Sequence, residues 1–182
     1  MACLLRIPGR TYGAVLLDPP WAERGGGRIV RGAQRHYPLM SAERIVEVVA
    51  AAPCWRPAPR CHVWLWATSN HLRDALGVME ALGFRHVTDW VWVKDRIGLG
   101  QYRRSRHEWL LFGTRGDARV PDVAWPDSVI EEPRREHSRK PDGQYAIIEH
   151  VSRGPWLEMF ARGPGRPGWD VWGEKAESWA RT

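Results

Sequence analysis

Apolar runs and amphipathic runs take turns along this chain, and that alternation restricts its fold more than any other feature of the sequence. "YGAVLLD" (12–18) is a short apolar strand. Ser41, with Glu43 in the first turn, opens a helix in which Ile45, Val46, Val48, Val49 and Ala52 form an apolar stripe, and Pro53 ends it. "CHVWLWAT" (61–68) is the next strand; Ser69 or Asn70 then starts a helix with Leu72, Ala75, Leu76, Met79 and Leu82 on one face and Gly83 as its stop. "HVTDWVWVK" (86–94) and "HEWLLFGT" (107–114) are rich in β-branched and aromatic residues, which predicts an antiparallel pair at one edge of the sheet. Pro141 opens a third helix whose Tyr145, Ile148 and Val151 share a face and which Gly154 closes. "WLEMFAR" (156–162) and "WDVWG" (169–173) are strands on either side of the turn "GPGRPG". Strands alternating with helices specify an α/β fold with a mostly parallel sheet. At 182 residues one domain is expected, burying roughly 70 % of its unfolded surface. Residues 113–140, broken by Pro121, Pro126 and Pro133, form a surface excursion of it.

The first strand breaks off abruptly at Asp18-Pro19-Pro20-Trp21. Pro19 fixes its own φ and pushes Asp18 toward extended geometry, and Pro20 does the same to Pro19. Neither proline offers an N–H. The corner is therefore rich in acceptors, the Asp18 carboxylate and the carbonyls beside it, with an indole alongside, and a planar group carrying an NH2 fits such a surface. Taken alone, Asp-Pro-Pro reads first as a strand followed by a stiff turn. In an open parallel sheet, ligands lie outside the carboxyl ends of the strands, so this corner and the Gly-rich turn at 163–168 are candidates for the two sides of one crevice.

Bulk properties narrow the partners. Lys and Arg number 27 against 21 Asp and Glu, a formal charge of +6 with a pI near 9.7, and the excess is almost all arginine. A polyanion is the natural partner, and several of the 12 tryptophans, if exposed, would stack bases. Cys3, Cys54 and Cys61 lack zinc-type spacing, and the last two flank a Pro/Arg-rich turn, which reads as reduced thiols in a cytoplasmic protein. The seven histidines are scattered, and no metal site is expected. The apolar run near the amino terminus is too short for a signal segment, and no stretch has the length of a membrane span.

Eight ordered blocks carry a family resemblance: Asp18-Pro19-Pro20-Trp21; Tyr37 before Met40-Ser41; Trp66-Ala67-Thr68; Trp92-Val93-Lys94; His107-Glu108; His137-Ser138-Arg139-Lys140-Pro141; Glu158-Met159-Phe160-Ala161-Arg162; and Gly168-Trp169-Asp170. From about Tyr12 to Gly173 the chain resembles the MT-A70 family of adenine N6-methyltransferases. The resemblance implies a Rossmann-like, class I methyltransferase fold, circularly permuted, with S-adenosyl-L-methionine as cofactor and no metal. It makes Asp18, Pro19, Pro20 and Trp21 the catalytic corner, with Asp18 and the Pro19 carbonyl accepting the two N6 protons of adenine. Trp21 and Tyr37 would pack the purine, and Lys94 and Glu108 match a substrate-side pair, for which an ordinary exposed ion pair is the competing account. Ser138, Arg139 and Lys140 fall near the methionine of the cofactor, and Phe160, Arg162 and Gly163 along its nucleoside. The amino terminus of the third helix is expected to favour the cofactor's carboxylate.

Two departures from the family pattern concern the ribose: Pro164-Gly165-Arg166-Pro167 follows "ARG", and Gly173-Glu174-Lys175 stands where Gly-Asn-Glu or Gly-Asn-Gln is common, leaving Glu174 as a candidate acceptor for ribose hydroxyls, with an exposed surface charge as the competing account. Two basic loops are expected to face nucleic acid. Residues 22–37 carry Arg24, Arg28, Arg31 and Arg35, and residues 95–107 carry Arg96, Arg103, Arg104 and Arg106. A duplex adenine must be flipped out to reach the crevice. The expected activity is N6-adenine methylation, of DNA before RNA, by a protein that dimerises, works with an accessory recognition subunit or has low sequence selectivity. N4-cytosine methylation and a non-catalytic nucleic-acid-binding subunit are the alternatives.

Overall fold

The computed structural model describes residues 2–4, 9–22, 39–98, 104–120, 122–135, 139–163 and 165–173. In chain order the elements are β1 (Ala2–Leu4), β2 (Tyr12–Leu17), α1 (Ala42–Ala50), β3 (Pro57–Ala67), a 3-10 turn (Ser69–His71), α2 (Leu72–Ala81), β4 (Arg85–Val93), β5 (His107–Arg115), β6 (Val129–Glu131), α3 (Gly143–Val151), β7 (Trp156–Met159) and β8 (Trp169–Gly173). Local chemistry accounts for the helix ends. The Ser41 hydroxyl accepts from the Arg44 N–H at 3.3 Å to start α1, and Gly83, at φ +83°, ends α2.

The strands form one sheet in the order β1-β8-β7-β2-β3-β5-β4-β6. Strands β8, β7, β2 and β3 run parallel, as do β4 and β6; β5 opposes both β3 and β4, and β1 opposes β8. This is the α/β, mostly parallel sheet the alternation specified, and it is consistent with the Rossmann-like fold the resemblance implied. The antiparallel pair β4–β5 is present, but β6 covers β4, so the pair lies one strand in from the edge. Strands β1 and β6, three residues each, are too short to show a period. Pro57 to Arg60, read as a turn between two cysteines, begins β3 instead. There β3 pairs only with β2, since pairing with β5 starts at Cys61, and a strand with one open side tolerates residues that lack an N–H.

The two faces of the sheet are packed differently. On one, Ile45 and Val49 of α1 and Ala75, Val78 and Met79 of α2 meet Val15, Leu17, Val63, Leu65, Leu157 and Met159. On the other, Ile148 and Val151 of α3 meet Leu16, Phe112 and a group of tryptophans: Trp64, Trp66, Trp90, Trp92 and Trp169. Several of these indoles are tied to α3 or its flanks. Trp66 Nε1 donates to Gln144 Oε1 at 2.7 Å, Trp64 Nε1 to Ser152 Oγ at 2.9 Å and Trp169 Nε1 to Glu149 Oε1 at 2.8 Å. These tryptophans are core and do not form a stacking surface: Trp64, Trp66, Trp92 and Trp169 each combine a large buried area with a satisfied donor, while the buried Trp90 indole N–H has no hydrogen-bond partner among the described residues. Trp125 is the exposed indole among the described residues, 54 % accessible. No helix among the described residues is long and apolar enough to cross a membrane.

Candidate active site

Strands β2 and β7 are parallel neighbours, with Leu16 opposite Glu158 and Leu17 opposite Met159. Both end at the same rim. The Asp18 N–H, just past β2, donates to the Met159 carbonyl at 3.4 Å, which carries the pairing one step further. Leu16 belongs to the face under α3, and alternate positions share a face, so Asp18 and Glu158 rise together on that side.

The corner at Asp18 is held on several sides. Trp21 N–H donates to the Pro19 carbonyl at 3.0 Å, the Met40 N–H to the Pro20 carbonyl at 2.8 Å and the Ala22 N–H to the Met40 carbonyl at 2.9 Å. One lone pair of the Pro19 carbonyl is therefore used, and among the described residues no second donor reaches it. The Trp21 indole donates to the Trp66 carbonyl at 2.9 Å and stacks on His71 at 5.5 Å between ring centroids, which leaves at most one face for a purine.

Charges of alternating sign line the rim from β4 to β7. Lys94 Nζ donates to Glu108 Oε1; Lys140 Nζ lies 3.5 Å from Glu108 Oε2 and donates to Asp18 Oδ1 at 2.7 Å; Arg162 lies 3.9 Å from Asp18 Oδ2. Lys94 and Glu108, 17 % and 16 % accessible, are a shielded pair and not an exposed one. Burial alone would raise the Glu108 carboxyl, but Lys140 and Lys94 hold it below its ordinary value. Burial alone would lower the Lys140 ammonium, but Asp18 and Glu108 hold it above. These are links of one buried network, and Lys140 is its hub.

Other expected site residues are placed differently. Arg139 is exposed and pairs with Asp142 at 3.3 Å, away from the cluster, and Arg104 Nε donates to the Gly98 carbonyl at 3.1 Å within its loop. The Phe160 ring packs on Trp172 at 5.6 Å and is part of the core; Gly163 follows Arg162 in the turn. Phe160 has φ +64°, a left-handed conformation that costs a residue with a Cβ about 1–2 kcal/mol. Gly173 backs this strained turn, since any Cβ there would run into the Ala161 backbone, its nitrogen at 2.6 Å. The amino terminus of α3 is not open to an outside anion. Glu132 Oε1 accepts from the Gly143 N–H at 2.7 Å and Oε2 from the Asp142 N–H at 3.1 Å. Tyr37, Arg103, Ser138 and Glu174, with the arginines of the first loop, lie outside the described residues.

The structure adds two residues to the site. Glu158 accepts from the Tyr145 hydroxyl at 2.9 Å, and burial, with Asp18 beside it, pushes its carboxyl up to about 7 against the pull of Tyr145 and Lys140. The signal in the sequence was an acid in the middle of the apolar strand "WLEMF". Because the folded value lies above the ordinary 4.5, the fold favours the protonated form; stability is full below 4.5 and is lost as pH rises through about 7. Glu158→Gln removes that loss. It is expected to match the native protein in thermal melts at pH 5 and to exceed it at pH 8 by about 1–3 kcal/mol, a few degrees in melting temperature for a chain of this size. A gap of the same size at both pH values would refute this account of Glu158.

Comparison with known proteins places this chain in a family. The family model described as MT-A70 matches residues 12–175, a span that contains every element from β2 to β8. The chain belongs to the MT-A70 family. Its curated relatives include the N(6)-adenosine-methyltransferase MT-A70-like protein of Arabidopsis thaliana, 28 % identical over 166 residues that make up 84 % of this chain and 22 % of that protein. The N(6)-adenine-specific methyltransferase METTL4 of Mus musculus is 27 % identical over 92 % of this chain and 38 % of its own length. The N6-methyladenosine RNA methyltransferase MTA1 of Pyricularia oryzae is 28 % identical over 94 % of this chain and 48 % of its own length. The MT-A70 chain thus spans about a fifth to a half of the length of these relatives.

Proposed function

We propose that this MT-A70 protein is an S-adenosylmethionine-dependent methyltransferase acting on the N6 amine of adenine in nucleic acid, with DNA as the first substrate to test. The observation that carries the reading is the juxtaposition of two rigid corners at adjacent strand ends. Asp18-Pro19 presents acceptors, and the strained turn after β7 begins directly beside it. The donor set suits the cofactor: Arg162 and Lys140 offer cations to its carboxylate, and Asp18 and Glu158 offer acids to its ammonium and sulfonium. When bound, S-adenosylmethionine supplies an electrophilic methyl group. The Rossmann-like order, with the acceptor strand β2 preceding β7 in sequence, agrees with a circularly permuted member of the class I fold.

The chain's own part is positioning. The adenine amine is a poor nucleophile because its lone pair is delocalised into the ring. Asp18 and the free lone pair of the Pro19 carbonyl accept its two protons and favour a pyramidal nitrogen whose lone pair is localised. The proton leaves N6 afterwards, through Asp18 or water, since a carboxylate is far too weak a base to ionise the neutral amine first. Well-oriented intramolecular reactions gain roughly 7–11 kcal/mol from such placement. Lys94, whose ammonium lies 4.7 Å from the Trp92 ring, and Glu108 complete the substrate side.

Nucleoside mass spectrometry of DNA and RNA incubated with the protein and methyl-labelled cofactor tests the reading. N6-methyladenine in DNA is the expected product. N6-methyladenosine in RNA alone would move the substrate, N4-methylcytosine would replace the base, and unlabelled nucleic acid with intact cofactor binding would make the chain a non-catalytic subunit.

A further inference from the structure

Glu158 has no part in accepting the adenine amine, yet it stands beside Asp18 on the same side of the sheet. It lies opposite Leu16, one pair before the end of the β7–β2 ladder, on the side of the sheet covered by α3. Tyr145 of α3 donates to it, Asp18 faces it from the end of β2, and Lys140 faces it from the segment that leads into α3. Its partner across the sheet on β8 is Val171, which carries no charge. One hydrogen bond and one shared cation are little support for a carboxylate that also faces another carboxylate, so its ionisation is finely balanced.

We propose that Glu158 is the residue by which this site distinguishes the sulfonium cofactor from its thioether product: it gives up its proton when the cationic S-adenosylmethionine binds and keeps it when the neutral-sulfur S-adenosylhomocysteine binds. The inference rests on the cofactor reading above. The physical basis is linkage. A carboxyl that titrates near neutrality, set among Asp18, Lys140 and the Tyr145 hydroxyl, takes its state from whatever charge is added beside it. At neutral pH S-adenosylmethionine carries a net charge of about +1 and S-adenosylhomocysteine about zero, from the usual ionisation of their amino and carboxyl groups and the fixed charge of the sulfonium. An added unit charge within about 6 Å, at an effective dielectric constant near 20, moves a carboxyl by about two pH units. The proton balance closes without another reactant: cofactor and protonated Glu158 give the complex with ionised Glu158 and one proton to solvent. After methyl loss the sulfur is neutral, and the site takes a proton back from solvent.

Isothermal titration calorimetry of the full chain between pH 5.5 and 8.5, with S-adenosylmethionine, S-adenosylhomocysteine and the cationic analogue sinefungin, tests this. Affinity for the two cationic ligands is expected to rise at least about tenfold across the range, with proton release visible as a dependence of the heat on buffer, while affinity for S-adenosylhomocysteine stays within about twofold. Glu158→Gln should make all three profiles flat. Tyr145→Phe, which removes a donor to the ionised form, should move the rise to higher pH. A residue that only supported the fold would weaken all three ligands together and leave the profile in place. Equal pH dependence for product and cofactor, or a rise that persists in Glu158→Gln, overturns the proposal and leaves the cofactor reading standing; failure of every ligand to bind at any pH overturns both.

Discussion

Asp18→Ala is expected to lower turnover about 10²–10³-fold while leaving affinity for S-adenosylmethionine within a few-fold of native. The size follows from losing one preorganised polar contact aimed at the reacting group. The contact is preorganised because the corner cannot relax: Pro19 and Pro20 fix φ, and three backbone hydrogen bonds pin it to Trp21 and Met40. The fold should survive, since Lys140 keeps Glu108 as a partner when Asp18 is gone. Asp18→Asn is the sharper variant, because its amide keeps one acceptor but points a donor at the substrate amine. Single-turnover rates with labelled cofactor on an adenine-containing oligonucleotide, set beside calorimetric affinities, separate the two effects. Unchanged turnover in Asp18→Ala would remove the residue from the reaction.

The parts of the fold that could be read from the sequence are those with a patterned run of at least four residues, down to the short strands β7 and β8. Strands β2 and β3 and helices α1 and α2 declared themselves by period and by caps such as Ser41 and Gly83. Strands β1 and β6 did not, because three residues contain no period and their existence depends on a neighbour being there to pair with. Length also hid the start of β3, where prolines that read as a turn are tolerated by an unpaired side.

The site divides in a similar way. Asp18, Pro19, Pro20 and Trp21 are contiguous, and their rigidity is written in the residues themselves. The link from Asp18 to Lys140 spans 122 positions, and only the family resemblance brought the two together beforehand. Glu158 stood within a quoted block, yet its neighbours Tyr145 and Asp18 come from other elements, so its burial and its raised carboxyl had no local sign. Glu132 is the opposite case. It occupies the N–H groups at the start of α3 that sequence reasoning assigned to the cofactor, and nothing in the excursion from 113 to 140 marked it as a cap. The tryptophans divide by partner. An indole donor satisfied by α3 is a core feature, and composition cannot tell it from a stacking surface.

Lys140→Met is expected to destabilise the protein by about 3–5 kcal/mol at pH 7, the usual cost of removing one partner from a buried ionic network. Methionine keeps the unbranched stem and most of the volume, so packing against Trp66 is retained and the loss is electrostatic. Asp18 is left with Arg162 at 3.9 Å, and Glu108 with Lys94 alone. Acidity provides the check. The native fold holds the Glu108 carboxyl below its ordinary 4.5, so its contribution is present above that value and is lost as pH falls through the lower, folded one. Without Lys140 that carboxyl rises, protonation comes earlier, and the gap between variant and native should narrow as the carboxylates neutralise. Urea unfolding at pH 7 and pH 4 measures both ends, and Lys140→Arg, which preserves the charge with a different geometry, should lose less than the methionine variant. A pH-independent gap would mean that Lys140 stabilises the crevice by filling space, and the alternating charges from Lys94 to Arg162 would then be neighbours without being a network.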